Sequence, residues 1–194
     1  MTISIVIPCL NEGNTLKHTV QSILNTISIS KYEIIIVNSG GTNVSDLYGN
    51  QKIKIINTPS PLGPAPARNL GAELSSEEIL VFIDGHMLFE EKWDNDIILS
   101  LKEHDGLINP CIKTNCGGYK GFGFRWKDIR MSWDWLINPP SSFIHEIPFA
   151  AGAFIAINRT TFNKIGKFDE GFITWGNEDA EISLSLIIWI QGIM

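Results

Sequence analysis

Ile79-Leu80-Val81-Phe82-Ile83-Asp84-Gly85-His86 is the stretch on which the fold of this chain turns. Five consecutive apolar residues, four of them β-branched or aromatic, read as a strand buried on both faces. A strand of that kind has reason to end in charge only where the charge has a task, because an unpaired buried carboxylate costs roughly several kcal/mol. At a period of two, Asp84 and His86 can point the same way, with Gly85 leaving backbone room between them. In open α/β sheets the ligand crevice lies outside the carboxyl ends of the strands. One oxygen and one nitrogen ligand at that place suit a divalent metal of the Mn²⁺ type. The same residues also read as a turn after a core strand, with Asp84 capping the next segment. The stretch alone leaves both readings open.

Its neighbours in sequence supply the sheet. Residues 2–7 alternate and then run apolar, a first strand that Pro8 stops. Leu16, Val20, Ile23, Leu24 and Ile27 follow helical spacing, so an amphipathic helix faces the sheet. Residues 32–37 and 52–56 read as two further strands, and a Pro/Gly-rich loop covers residues 58–66. Residues 67–74 predict a helix that leads into the strand at 79–83. Strand, helix, strand, strand, helix, strand is a βαβ-type order and implies a mostly parallel sheet. Beyond His86 the pattern predicts helices over residues 93–101 and 178–189, a strand over 153–157 and a helical turn over 160–165. Residues 109–148 are rich in Gly, Trp, Phe and Pro and show no clean period. No repeat or linker marks a second domain, so residues 1–194 are expected to form one.

Bulk properties narrow the function. A formal net charge of −6 and the lack of any basic run argue against nucleic acid as the main partner. The apolar share of 44% and charged share of 19% are ordinary for a globular α/β protein. Three cysteines, Cys9, Cys111 and Cys116, cannot all pair and read as reduced thiols. Cys111 and Cys116 lack further soft ligands nearby, which argues against zinc. Met1 leads straight into a strand, so no signal peptide is expected, and residues 184–194 are too short and too interrupted to span a bilayer. The expected location is cytoplasmic, with peripheral membrane contact left open. Pro8-Cys9-Leu10-Asn11-Glu12-Gly13 is not the glycine fingerprint that a dinucleotide needs after a first strand. A Walker lysine and a nucleophile elbow are also missing.

Five segments in order resemble the GT-A nucleotide-sugar glycosyltransferases, family 2 and its relatives. They are Ser4-Ile5-Val6-Ile7-Pro8-Cys9-Leu10-Asn11-Glu12; Val37-Asn38-Ser39-Gly40-Gly41-Thr42; Gly63-Pro64-Ala65-Pro66-Ala67-Arg68-Asn69-Leu70-Gly71; Asp84-Gly85-His86; and the tract from Phe168-Asp169-Glu170-Gly171-Phe172 to Trp175-Gly176-Asn177-Glu178-Asp179. Asp-x-His in place of Asp-x-Asp, and Trp-Gly-x-Glu before an acidic helix, are similar to the polypeptide N-acetylgalactosaminyltransferases. The pair Glu178-Asp179 is similar instead to inverting family 2 enzymes. The resemblance implies a Rossmann-like GT-A sheet flanked by helices, with residues 1–86 as the nucleotide-sugar half and 87–194 as the acceptor side.

It also implies roles. Asp84 and His86 would hold Mn²⁺ or Mg²⁺ on the donor diphosphate, and Arg68 at a helix start would add a planar cationic fork. Pro8, Asn11 and Glu12 would line the base and ribose, with Asn38 where the family places an Asp accepting the uracil N3–H. Asp179, or its neighbour Glu178, would take the proton of the acceptor hydroxyl; both also read as helix-start carboxylates favoured by the macrodipole. Trp126, Trp133 and Trp135, with Phe122 and Phe124, read either as an acceptor platform or as core. His145 and Glu146 could contact the acceptor, while His18 and His104 read as surface residues. The expected activity is transfer of a sugar, UDP-linked, to a hydroxyl on a glycan, a lipid-linked or a peptide acceptor.

A non-catalytic nucleotide-sugar-binding or interaction module is the rival reading, and a nucleotidyltransferase a weaker one. In similar Asp-x-His enzymes a later His completes the metal site, whereas here Met194 follows the last helix. The expectation is therefore a chain that is catalytically incomplete, hydrolyses its donor, and self-associates through the apolar stripe of residues 186–194.

Overall fold

The computed structural model describes residues 1–114, 118–128, 132–138 and 140–191. Strand β1 (Ile3–Cys9) leads through helix α1 (Thr15–Thr26) to β2 (Tyr32–Asn38) and then β3 (Ile53–Asn57). Helix α2 (Pro64–Glu73) precedes β4 (Ile79–Ile83), and α3 (Trp93–Glu103) follows it. Four short strands come next: β5 (Ile112–Lys113), β6 (Lys120–Gly121), β7 (Phe124–Trp126) and β8 (Trp133–Trp135). The described chain closes with β9 (Phe154–Asn158), α4 (Arg159–Lys164) and α5 (Glu178–Ile190).

The main sheet has the order β3-β2-β1-β4-β9, with every pair parallel except the antiparallel edge pair β4–β9. This is the mostly parallel α/β sheet expected from the βαβ order, and the continuous burial of β4 follows from cover on both faces. The period of two is visible within that strand. Ile79, Val81 and Ile83 join the core with Leu16, Val20, Ile23, Ile97 and Leu101 of α1 and α3. Leu80 and Phe82 join the opposite core with Ala67 and Ala72 of α2, Phe162 and Ile182. Phe82 stacks on Phe162 and Phe168 at ring-centroid distances of 5.2 and 5.1 Å. Helix α2 reaches β1 closely because Gly71 has no side chain; a Cβ there would lie 2.3 Å from Val6 Cγ1.

Three boundaries differ from the sequence reading for identifiable reasons. Helix α2 begins at Pro64, not residue 67, because prolines fit the first helical turn, where the missing N–H would be unpaired anyway. Arg68 therefore sits on the second turn and not at the helix start. Strand β1 runs through Pro8 to Cys9, since Pro8 lies past Val6–Phe82, the last rung shared with β4. The span 109–148 contains two small antiparallel ladders, β5–β6 and β7–β8, whose two- and three-residue strands are too short to show a period.

In that span the aromatic residues form a satellite core. Phe124 is buried, with Trp133, Trp135 and Phe149 at centroid distances of 4.3, 4.1 and 5.3 Å, and Trp126 lies 4.6 Å from Phe149. Of these indoles only Trp133 is substantially open to solvent. Cys9 and Cys111 are free thiols, and burial pushes the Cys9 thiol up to about 11. Cys116 and the chain end at residues 192–194 lie outside the described residues. His18, His104, His145 and Glu146 are exposed. Among the described residues no helix is long and apolar enough to cross a membrane.

Candidate active site

Asp84 stands one residue past the end of β4 and still donates its N–H to Ala153 O at 3.1 Å, so the rigid sheet positions it. Thr19 of α1 clasps the turn that follows. Its hydroxyl donates to Gly85 O at 3.0 Å and accepts from Met87 N at 2.9 Å. His86 is thereby presented at the surface, with Nε2 3.8 Å from Asp84 Oδ2 and Nδ1 3.2 Å from Glu12 Oε2.

The other oxygen of Asp84 faces the interior, where Arg68 Nη2 lies 3.5 Å from Oδ1. The same Nη2 donates to Gly152 O at 2.9 Å, and Nη1 donates to Glu178 Oε1 at 2.9 Å. The guanidinium carbon sits 5.4 Å from the Phe168 ring centroid, and Nε has no hydrogen-bond partner among the described residues. The Arg68 side chain is 3% exposed. Its cationic fork, read from the sequence as a diphosphate clamp, is turned inward and joins three separate chain segments.

Beyond Arg68 the acidic pair divides. Glu178 is buried, and its second oxygen accepts from Gly176 N at 3.0 Å. Asp179 is half-buried; Oδ2 accepts from Gly152 N at 2.9 Å and Oδ1 from Ala180 N at 2.9 Å. Gly152 thus offers its carbonyl to Arg68 and its N–H to Asp179, so Asp84 and Asp179 belong to one hydrogen-bonded chain. Burial raises the carboxyl of Asp84, with Arg68 and His86 pulling it back. Burial likewise raises Asp179, opposed first by the Gly152 N–H.

Two residues of the segment 63–71 have no role assigned from the sequence. Asn69, beside Arg68, donates to Phe168 O at 2.8 Å and Glu170 Oε1 at 3.0 Å and accepts from Phe168 N at 3.2 Å, anchoring the loop before α5. Gly63 lets that loop approach, since a Cβ there would lie 2.1 Å from Ile173 O. Within the loop Trp175 is 81% exposed, a large aromatic face open to solvent four residues before Asp179.

At the ends of β1 and β2 the turns interlock. Asn11, at φ +58°, donates its N–H to Gly40 O at 3.1 Å, and Glu12 N donates to Thr42 Oγ1 at 3.1 Å. Gly41 is at φ +74°, and a side chain there would overlap Asn11 Oδ1, so the turn after β2 needs its glycine. Asn38 is buried; its Nδ2 donates to Thr42 O at 3.2 Å and Asn57 Oδ1 at 2.9 Å. That pairing orients the amide and leaves Oδ1 as an acceptor, against Gly40 N at 3.4 Å. Pro8 lies beside it, opposite Val37 in the β1–β2 register.

A divalent cation fits the open end of β4 by the chemistry of the donors: a carboxylate oxygen and an imidazole nitrogen face each other at 3.8 Å. Among the described residues no group of three or more His, Cys, Asp or Glu side chains forms a ready-made metal cage.

A mostly parallel sheet with an antiparallel edge, flanked by helices and with Asp-Gly-His following the strand next to that edge, is an α/β fold of the GT-A type. Residues 4–166 match the family described as Glycosyl transferase family 2, and the chain belongs to that family. It is 27% identical over 217 aligned residues to polypeptide N-acetylgalactosaminyltransferase 11 of Xenopus tropicalis, covering 97% of this chain and 35% of that protein. It is 30% identical over 216 residues to inactive polypeptide N-acetylgalactosaminyltransferase-like protein 5 of Macaca fascicularis, covering 98% of this chain and 48% of that one. The chain thus spans between about a third and a half of the length of these curated relatives. Among solved structures, GalNAc-T7 with UDP, GalNAc and Mn²⁺ superposes with a TM-score of 0.80 at 24% identity, over 95% of this chain and 40% of its own. The mannosyltransferase PcManGT from Pyrobaculum calidifontis, in complex with GDP-Man and Mn²⁺, gives 0.69 at 16% identity, over 96% of this chain and 52% of its own.

Proposed function

We propose that this chain is the donor-binding and transfer domain of a metal-dependent glycosyltransferase that moves a sugar from a UDP-linked donor to an acceptor hydroxyl. The observation that carries the reading is Asp84: at the end of a fully buried strand, one oxygen faces His86 and the other faces the buried Arg68. Asp84 and His86 would hold Mn²⁺ or Mg²⁺, with oxygens of the donor diphosphate completing its shell. Such an ion supplies charge neutralisation to a departing diphosphate. The relatives support the donor class, since their names specify N-acetylgalactosaminyl transfer and the superposed structures carry nucleotides with Mn²⁺.

The chain's own residues do the rest. Asn38 keeps Oδ1 as an acceptor, approached only distantly by Gly40 N and Cys9 Sγ, and such an oxygen can take the N3–H of uracil. Arg68 holds Asp84 and Glu178 in place and sets the spacing between the metal end and the acidic helix. Asp179 is the proton acceptor for an incoming hydroxyl, because it is partly open and burial raises its carboxyl above the ordinary aspartate value. Glu178 is buried and paired with the buried Arg68 guanidinium, so its part is structural. Trp175 offers an open ring near Asp179 for the acceptor to pack on.

A second reading, a nucleotide-sugar-binding module without turnover, gains weight from the 30% identity to a relative named as inactive. UDP release measured with several UDP-sugars and Mn²⁺, alongside acceptor glycosylation, separates the two. Donor-dependent UDP release with transfer to an acceptor supports the transferase. Tight UDP–Mn²⁺ binding without release of UDP from any donor supports the module.

A further inference from the structure

The Asp84–His86 pair leaves one interaction unexplained: the other nitrogen of the imidazole rests on Glu12, a residue from the turn after β1, 74 positions away in sequence. We propose that Glu12 is the positioning residue of this end of the site. Its carboxylate accepts the Nδ1 proton of His86 and leaves Nε2, the nitrogen that faces Asp84, with a free lone pair for a divalent cation. The inference rests on the reading of Asp84 and His86 as metal holders and adds the group that makes His86 competent to be one.

Three observations converge on it. An ionised carboxylate can only accept, so the 3.2 Å contact between Glu12 Oε2 and His86 Nδ1 requires the proton on Nδ1. In neutral imidazole that leaves Nε2 unprotonated, and Nε2 is the nitrogen 3.8 Å from Asp84 Oδ2. A metal-bound His is ordinarily oriented by such a contact on its second nitrogen, and losing it costs about 10–100-fold in metal affinity.

Glu12 is also held in place. Its N–H donates to Thr42 Oγ1, and Thr15 Oγ1 donates to its Oε2 at 3.3 Å. Finally, Gly85 makes the path. Its φ lies outside the left-handed region, so the backbone there does not need glycine. A Cβ on Gly85 would lie 2.9 Å from Glu12 Cγ and 3.0 Å from Cδ. The glycine of Asp-Gly-His thus clears the way for the Glu12 side chain to cross the strand end and reach the imidazole.

The test uses the full chain. Long-range ¹H–¹⁵N spectra of His86 without metal should report the Nδ1-protonated tautomer. Glu12→Ala should shift it toward the Nε2-protonated form, whereas Glu12→Gln, whose amide oxygen still accepts, should keep it. Gly85→Ala should reproduce the Glu12→Ala spectrum with Glu12 intact, because the flexible side chain gives way before the strand does. In calorimetry with UDP present, Mn²⁺ affinity should fall about 10–100-fold in Glu12→Ala and Gly85→Ala and remain within about threefold in Glu12→Gln. A tautomer indifferent to Glu12, in a protein that binds Mn²⁺, overturns this inference alone. Lack of Mn²⁺ binding in the wild type overturns the proposed function instead.

Discussion

Replacing Arg68 by alanine should cost this fold more than any change of one exposed charge. Its guanidinium is 3% exposed and its main partner Glu178 is 5% exposed, with a 2.9 Å hydrogen bond between them. Removing the cation leaves a carboxylate buried without its counter-charge and also strips a donor from Gly152 O. Breaking a buried pair from one side costs about 3–5 kcal/mol. For a chain of this size that corresponds to a fall in melting temperature of about 6–20 °C. The double variant Arg68→Met with Glu178→Leu removes both charges and lines the space beside Phe168 with apolar groups, so it should regain most of the loss. Thermal and urea unfolding followed by circular dichroism measure both. A loss below about 1 kcal/mol in Arg68→Ala, the scale of a solvent-exposed pair, would overturn the buried-pair assignment. So would a double variant as unstable as the single.

Asp179→Asn should lower transfer by about 10²–10⁴-fold while leaving UDP binding near normal, because an amide keeps the shape and the Gly152 contact but cannot take a proton. Near-normal turnover would remove Asp179 from the base role. The same variant tests the electrostatics. Burial raises the folded-state pKa of Asp179, so its contribution to stability is full below the ordinary aspartate range and is lost as pH rises through the folded value. Asp179→Asn should therefore melt no lower than wild type at neutral pH, with any gain vanishing below about pH 4; a lower melting temperature at neutral pH contradicts this. Gly71→Ala should destabilise by about 1–3 kcal/mol in urea titrations, because the added methyl meets Val6 and α2 must lift from β1. An unchanged midpoint would show that α2 can shift freely.

The parts of this molecule that depend on local pattern were legible in its residues. Five apolar residues ending in Asp-Gly-His named β4 to the residue, although β1 and not β4 is the middle strand of the sheet, and helical spacing from Leu16 to Ile27 named the face that α1 buries. The inward turn of Arg68 was not legible, because its partner Glu178 lies 110 positions away and nothing local distinguishes a buried fork from an exposed one. Asp94 shows the same limit. It lies in the first turn of α3, where nothing in the sequence singled it out, and it is fully buried and accepts from Ser28 N at 2.9 Å and Ile29 N at 2.8 Å. The aromatic residues of β7 and β8 read equally as platform or core, since an isolated tryptophan does not announce what covers it. Packing on Phe124 and Phe149 assigns most of that area to a core. Glu12 was placed by resemblance near the base and ribose, and the structure shows its carboxylate on His86.

Asp84 and His86 are proposed to bind a nucleotide through a divalent metal. Calorimetric titration of UDP, with Mn²⁺ and again with a chelator, in wild type and in Asp84→Ala, addresses it most directly. Binding should require Mn²⁺ and weaken about tenfold or more in Asp84→Ala, as expected for the loss of a direct ligand. UDP affinity that is the same with metal and with chelator, and unmoved by Asp84→Ala, would contradict it.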